Sequence, residues 1–281
     1  LKAQKNGTVY KGNDPAVRYT GRTLVSSDGS VAFDWVGTYL ETRFTGGKLS
    51  VKVSETGTSY YNVFVDGKLH KVVKVCGTDT LIHLVSGIDK RIHSLKIQKR
   101  SEGEFGKTTV HQFVLSGSGR LAEELAVRTR HIEFIGNSLT CGYGTDGKHR
   151  DEPFLVETEN CNLTFASMVA RYYDADYTLI AHSGRGAARN YGDSVRVSKV
   201  TMKDRMLNTF DEDLTHKWNF KEYRPDLVVI NLGSNDFSTE PHPYKSEFTK
   251  AYKQILAQLR EHYGDIPILC IYPVAMQAPV F

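Results

Sequence analysis

No stretch of this chain approaches the roughly 20 consecutive apolar residues that a spanning helix needs, which excludes a helical membrane anchor within it. Cysteine is scarce. Cys76, Cys141, Cys161 and Cys270 are too few and too scattered for a disulfide framework or a CxxC metal knuckle. Cys76 and Cys270 lie in apolar runs and are expected to be buried thiols, while Cys141 and Cys161 flank a polar loop and could pair in an exported protein. Runs of like charge are missing too: the net charge of +4 is spread along the chain, so nothing here reads as a nucleic-acid footprint. The start, Leu1 to Gly7, has no apolar signal core, so a secretory signal is expected to be already removed or never present. The glycine-bearing, basic stretch "SGRGAARNYG" has neither GxGxxG nor GxxxxGK[ST] spacing, so it does not read as a phosphate cradle. Internal repeats and low-complexity tracts are also lacking.

What is present falls into two halves with different periods. From about residue 30 to 116, short β-rich runs alternate with turn residues: "VAFDWVGTYLETRF", "KLSVKV", "YYNVFVDGKLHKVVKV", "TLIHLV", "IHSLKIQKR" and "TTVHQFVL". Asp66-Gly67 between two alternating runs predicts a hairpin, because a type I′ turn needs positive φ at both central residues. Such a series of strands predicts an all-β sandwich or jelly roll. Its aromatics Trp35, Tyr39, Tyr60 and Tyr61 fit core positions better than a sugar-stacking surface. The stretch "SGSGRLAEELAVRTR" breaks the pattern, so domains are expected at 1–126 and 127–281, with the boundary near Ala126.

In the second half, apolar strand candidates recur at 131–135, 177–181, 226–232 and 266–272. Helical stretches lie between them at 162–173 and 244–263; in the latter Phe248, Tyr252, Ile255, Leu256 and Leu259 form one apolar face. Strands alternating with helices predict an α/β domain with a mostly parallel sheet, which binds ligands beyond the carboxyl ends of its strands. Three of those ends carry polar, glycine-bearing clusters: Gly136-Asn137-Ser138, Ser183-Gly184-Arg185-Gly186 and Gly233-Ser234-Asn235-Asp236. Each alone is an ordinary strand-to-helix turn. Together they supply a nucleophile and fixed donors for an acyl-transfer oxyanion. Ser138 would attack, while its own N–H, the Gly184 N–H and the Asn235 side-chain amide would hold the developing charge. Glycine at 184 would let the backbone approach closely.

With these clusters in this order, the second half resembles an SGNH (GDSL-type) hydrolase. Ser138, Gly184 and Asn235 match that family's nucleophile, glycine and GxND blocks. The fuller forms "IEFIGNSLTCGYG" and "SGRGAARNYG" behind a β-sandwich resemble carbohydrate esterase family 2. The resemblance implies a serine esterase that removes O-acetyl groups from plant polysaccharides such as xylan or glucomannan. It also implies no metal or organic cofactor, a polysaccharide or oligosaccharide substrate, a monomer, and a secreted or periplasmic setting, without nucleic-acid or membrane partners. A non-catalytic carbohydrate-binding relative and an SGNH lipase or thioesterase are the alternatives.

Two features depart from the family pattern. Asn137 stands where the family usually has Asp, and no late His block follows the fourth strand before the end, "IYPVAMQAPVF". The C-terminal His-bearing segment is therefore expected to be missing from the chain as given. His131, His149, His182, His216, His242 and His262 read as ordinary surface or satisfied histidines. Arg185 and Arg189 are expected to support their loop or touch a sugar, and Trp218 and Phe220 to line a cleft. The acids of "DEDLTHKWNF" lack metal-ligand spacing.

Overall fold

The alternating runs of the first half do form strands, in a computed structural model that describes residues 7–123, 127–273 and 276. The chain divides into two compact units, Leu1–Val127 and Arg128–Phe281. The boundary expected at Ala126 lies outside the described residues.

In the first unit the strands are β1 (Thr8–Lys11), β2 (Arg18–Thr20), β3 (Leu24–Val25), β4 (Val31–Phe33), β5 (Tyr39–Thr45), β6 (Leu49–Val65), β7 (Lys68–Val85), β8 (Ile92–Lys99), β9 (Thr108–Leu115) and β10 (Leu121–Ala122). All pair antiparallel, in the order β10-β5-β8-β6-β9-β4-β3, with β1 on β9, β2 on β5 and β7 on β6. The β6–β7 hairpin turns at Asp66 and Gly67, whose φ values of 49° and 76° are the positive pair that a type I′ turn requires.

Two sequence runs expected as separate strands are one. "KLSVKV" and "YYNVFV" both belong to β6, whose first half pairs with β9 and whose second half pairs with β8. Between them the β6–β7 register shifts around Glu55 and Thr58, so the chain bulges there and continues instead of turning back. Gly57 sits at this point, where a Cβ would lie 2.1 Å from the Phe105 carbonyl oxygen. Phe44, Leu49, Val63 and Phe113 centre the core, and Trp35, Tyr39 and Tyr61 are buried as expected. Cys76 is exposed, contrary to its apolar setting. It lies on β7, where neighbouring side chains alternate faces, and Val75 takes the inward position.

The second unit contains β11 (His131–Gly136), α1 (Ser138–Cys141), α2 (Phe165–Tyr172), β12 (Asp176–Ala181), α3 (Met202–Arg205), β13 (Leu227–Ile230), α4 (Lys245–Tyr263) and β14 (Ile268–Cys270). Its sheet is parallel throughout, in the order β12-β11-β13-β14. The strand order changes direction at β11, so the switch-point crevice opens at its carboxyl end. The α4 stripe buries Ala251, Ile255, Leu259 and Tyr263. Cys270 is exposed on the edge strand β14, and Cys141 and Cys161 are buried and not joined in a disulfide. Among the described residues no helix is long and apolar enough to cross a membrane.

At the amino ends of these strands a buried carboxylate organises the packing. Glu133 on β11 accepts from Tyr223 Oη at 2.6 Å and from Tyr263 Oη at 3.2 Å. Tyr223 also packs on His131 and Trp218, while Phe220 stacks on His262 with centroids 3.8 Å apart. Trp218 and Phe220 therefore sit at the foot of the sheet and line no cleft at the opposite rim. Their segment leads directly into β13, so it must end at that strand's amino end. Removing one donor from a buried carboxylate costs about 1–3 kcal/mol. Tyr263→Phe should lower unfolding stability by that amount in a denaturant titration; an unchanged midpoint would contradict the role given to Glu133.

Candidate active site

Parallel pairing brings the first two strand ends level. Gly136 aligns with Ala181, and Ile135 aligns with Ile230 on the other side. The chain segments that follow are then joined to one another by side chains. Asn137 Nδ2 donates to Ser234 Oγ at 3.0 Å, and Asn235 Nδ2 donates to the Arg185 carbonyl at 2.8 Å. Asp236 accepts from the backbone N–H groups of Ala187, Ala188 and Arg189 at 3.0, 2.6 and 2.9 Å. The structure thus gathers all three sequence-predicted clusters on one rim.

Ser138 is the first residue of α1, and Asn137 caps that helix by accepting from the Leu139 N–H at 3.2 Å. The close start of the helix explains Gly136, where a Cβ would lie 2.0 Å from Thr140 Oγ1. With Asn137 the bond to Ser234 is donated by the amide; an ionised Asp could accept from Leu139 and would meet Ser234 only as an acceptor of its hydroxyl proton. Ser138 is half-buried, and its hydroxyl is hydrogen-bonded to none of the described residues. The Gly184 N–H is likewise taken by no carbonyl among them.

Glycine at 184 has a cause in its own backbone. A Cβ there would meet nothing nearer than Tyr191 Cβ at 3.9 Å, so steric closeness within the protein does not require it. The backbone does, at φ +77°. The tight position is Gly186, where a Cβ would fall 2.0 Å from the Arg189 carbonyl oxygen and 2.5 Å from Asp236 Oδ2.

Of the two arginines, Arg189 supports its loop. Its buried guanidinium donates to the carbonyls of Asp193 and Val195 and to Thr239 Oγ1. His182 is buried, with Nδ1 2.7 Å from Asp211 Oδ2, and Arg205 Nη1 holds Asp211 and Glu212 at 2.9 Å each. These acids could be read with His182 as metal ligands, but their charge is already answered by the Arg205 guanidinium. None of the ten histidines is hydrogen-bonded to Ser138 Oγ.

Sequence reasoning missed the position of Asp236 as the acceptor for three backbone donors; its signal was the last letter of the third cluster. Burial raises its carboxyl to about 6, and the three N–H bonds oppose that rise. The unfolded chain releases this proton near pH 3.9. Between about pH 4 and 6 the native state therefore holds the proton more tightly, and stability from this group falls as the pH rises. Asp236→Asn should remove this fall, read as the difference in thermal midpoint between variant and wild type across that window. A difference that does not change with pH would mean that the three N–H bonds cancel the effect of burial.

Comparison with known proteins follows this geometry. Residues 19–124 match the family Carbohydrate esterase 2 N-terminal, and residues 134–281 match the GDSL-like Lipase/Acylhydrolase family. The chain is 34% identical over 258 residues to Cellulase/esterase CelE of Acetivibrio thermocellus, covering 92% of this chain and 31% of that protein. It is 33% identical over 228 residues to an acetylxylan esterase / glucomannan deacetylase of Cellvibrio japonicus, covering 78% of this chain and 61% of the relative. The chain thus spans less than two thirds of either relative. A solved family two carbohydrate esterase from Clostridium thermocellum, in complex with cellohexaose, superposes with a TM-score of 0.87 at 33% identity, covering 94% of this chain and 79% of that one. The chain belongs to the GDSL-like acylhydrolases, in the branch that carries the amino-terminal domain of carbohydrate esterase family 2.

Proposed function

We propose that this chain is a serine esterase that removes O-acetyl groups from plant polysaccharides of the xylan or glucomannan type. One observation carries the reading: an uncommitted Ser138 hydroxyl stands on the rim where unspent donors collect. The Gly184 N–H is one of them. Asn235 Nδ2 has two protons, and among the described residues only the Arg185 carbonyl takes one. The name of the Cellvibrio japonicus relative, acetylxylan esterase / glucomannan deacetylase, supports an acetylated polysaccharide as the substrate class.

In this mechanism Ser138 Oγ bonds to the acetyl carbonyl carbon, and its proton passes to a general base. The carbonyl oxygen becomes an oxyanion, held by the N–H groups of Ser138 and Gly184 and by Asn235. Collapse breaks the ester bond, and the sugar oxygen leaves with the proton returned by the base. Water then attacks the acetyl-serine and releases acetate. By the family pattern, our assignment for the base is a histidine. No step uses a metal or organic cofactor. We read the first unit as a jelly-roll sandwich, and the protein as a monomer acting in a secreted or periplasmic setting.

Ser138→Ala should remove nearly all hydrolysis of 4-nitrophenyl acetate while the circular dichroism spectrum stays unchanged. Near-wild-type turnover would overturn the assignment. Losing one oxyanion donor costs about 10²–10³ in kcat. Asn235→Ala should therefore lower kcat far more than it raises KM, and a change confined to KM would indicate ground-state binding instead.

A further inference from the structure

Arg185 and Arg189 lie four residues apart in one loop, yet their guanidinium groups have opposite circumstances. That of Arg189 is buried and occupied by five neighbouring groups. The Arg185 guanidinium has no hydrogen-bond or ion-pair partner among the described residues, and its Nε is shielded from water without one. Four acids of the same unit are already committed. Asp236 serves three backbone N–H groups, and Asp211 and Glu212 share Arg205. Asp193 binds Asn190 and Ser198.

The backbone of Arg185, by contrast, is fixed. Its N–H donates to the His182 carbonyl at 3.3 Å, and its own carbonyl accepts from Asn235. The residue that carries this cation therefore adjoins Gly184 and is tied through its carbonyl to Asn235. A buried guanidinium donor with no acceptor is unfavourable until one arrives, and the planar fork suits a carboxylate in a bidentate pair.

We propose that Arg185 binds a carboxylate carried by the substrate, so that this site selects acetylated sugar chains bearing a uronic acid close to the acetyl group. The proposal rests on the esterase reading for the identity of the substrate, but not for the anion site itself. Arg185 acts here as a specificity determinant, and the oxyanion donors are other groups.

The test uses two unacetylated xylo-oligosaccharides of equal length, one neutral and one carrying a glucuronic acid branch, titrated into the whole protein by calorimetry. The wild type should bind the acidic one at least about tenfold more tightly at low salt, the scale of one charge-assisted hydrogen bond. That preference should shrink as sodium chloride is raised. Arg185→Met should reduce it to near unity, and Arg185→Lys should restore part of it. Equal affinities in the wild type would overturn the proposal. So would an Arg185→Met variant, folded by thermal unfolding, that weakens both sugars alike, since that would indicate contact with hydroxyls. Turnover of 4-nitrophenyl acetate by the wild type is measured separately. Its absence alongside a retained preference would overturn the esterase reading and leave the anion site standing.

Discussion

The buried carboxylate of Asp236 holds the rim together. Its two oxygens take three consecutive backbone N–H groups, of Ala187, Ala188 and Arg189. Without it those donors would face a dry interior, and the loop carrying Gly184 would lose its anchor to the segment carrying Asn235. The two groups proposed to share an oxyanion lie on different loops after different strands, so a fixed link between the loops is a condition of their acting together. Gly186 follows from the same constraint, since any side chain there would displace the carboxylate.

A second link completes the rim. Asn137 caps the helix that begins at Ser138 and donates to Ser234. An amide accepts and donates at once, which an ionised carboxylate at that position cannot do. With Asn in place of the family's usual Asp, the cap is kept and the nucleophile segment is joined to the third cluster by a bond that Asn137 donates. Order at the rim comes from side chains bonded to backbone, the arrangement suited to holding loops at the ends of a rigid parallel sheet.

The opposite end of the sheet shows how connection dictates placement. Trp218 and Phe220 follow the second strand in sequence, and proximity along the chain suggested the rim. The segment must nevertheless deliver the chain to the start of β13, so its aromatics pack around Glu133, Tyr223 and Tyr263 at the foot. In the first unit a comparable error arose at Glu55 to Thr58, where a bulge in a continuous strand looks like a break between two short ones.

The sequence by itself determined the two periodicities, the Asp66-Gly67 turn, the parallel strand series, the apolar stripe of α4 and the three clusters at strand ends. Each of these depends on neighbours within a few residues, through side-chain alternation, helical spacing or the φ that glycine permits. Only the tertiary structure decided which arginine is saturated and which is not, that Asp236 gathers three N–H groups, and that His182 faces Asp211 and not Ser138. It also decided that Cys76 and Cys270 face outward. Those outcomes depend on groups tens of residues away being brought within 3 Å or kept apart, and on which face of a strand the core claims. No local pattern encodes either one.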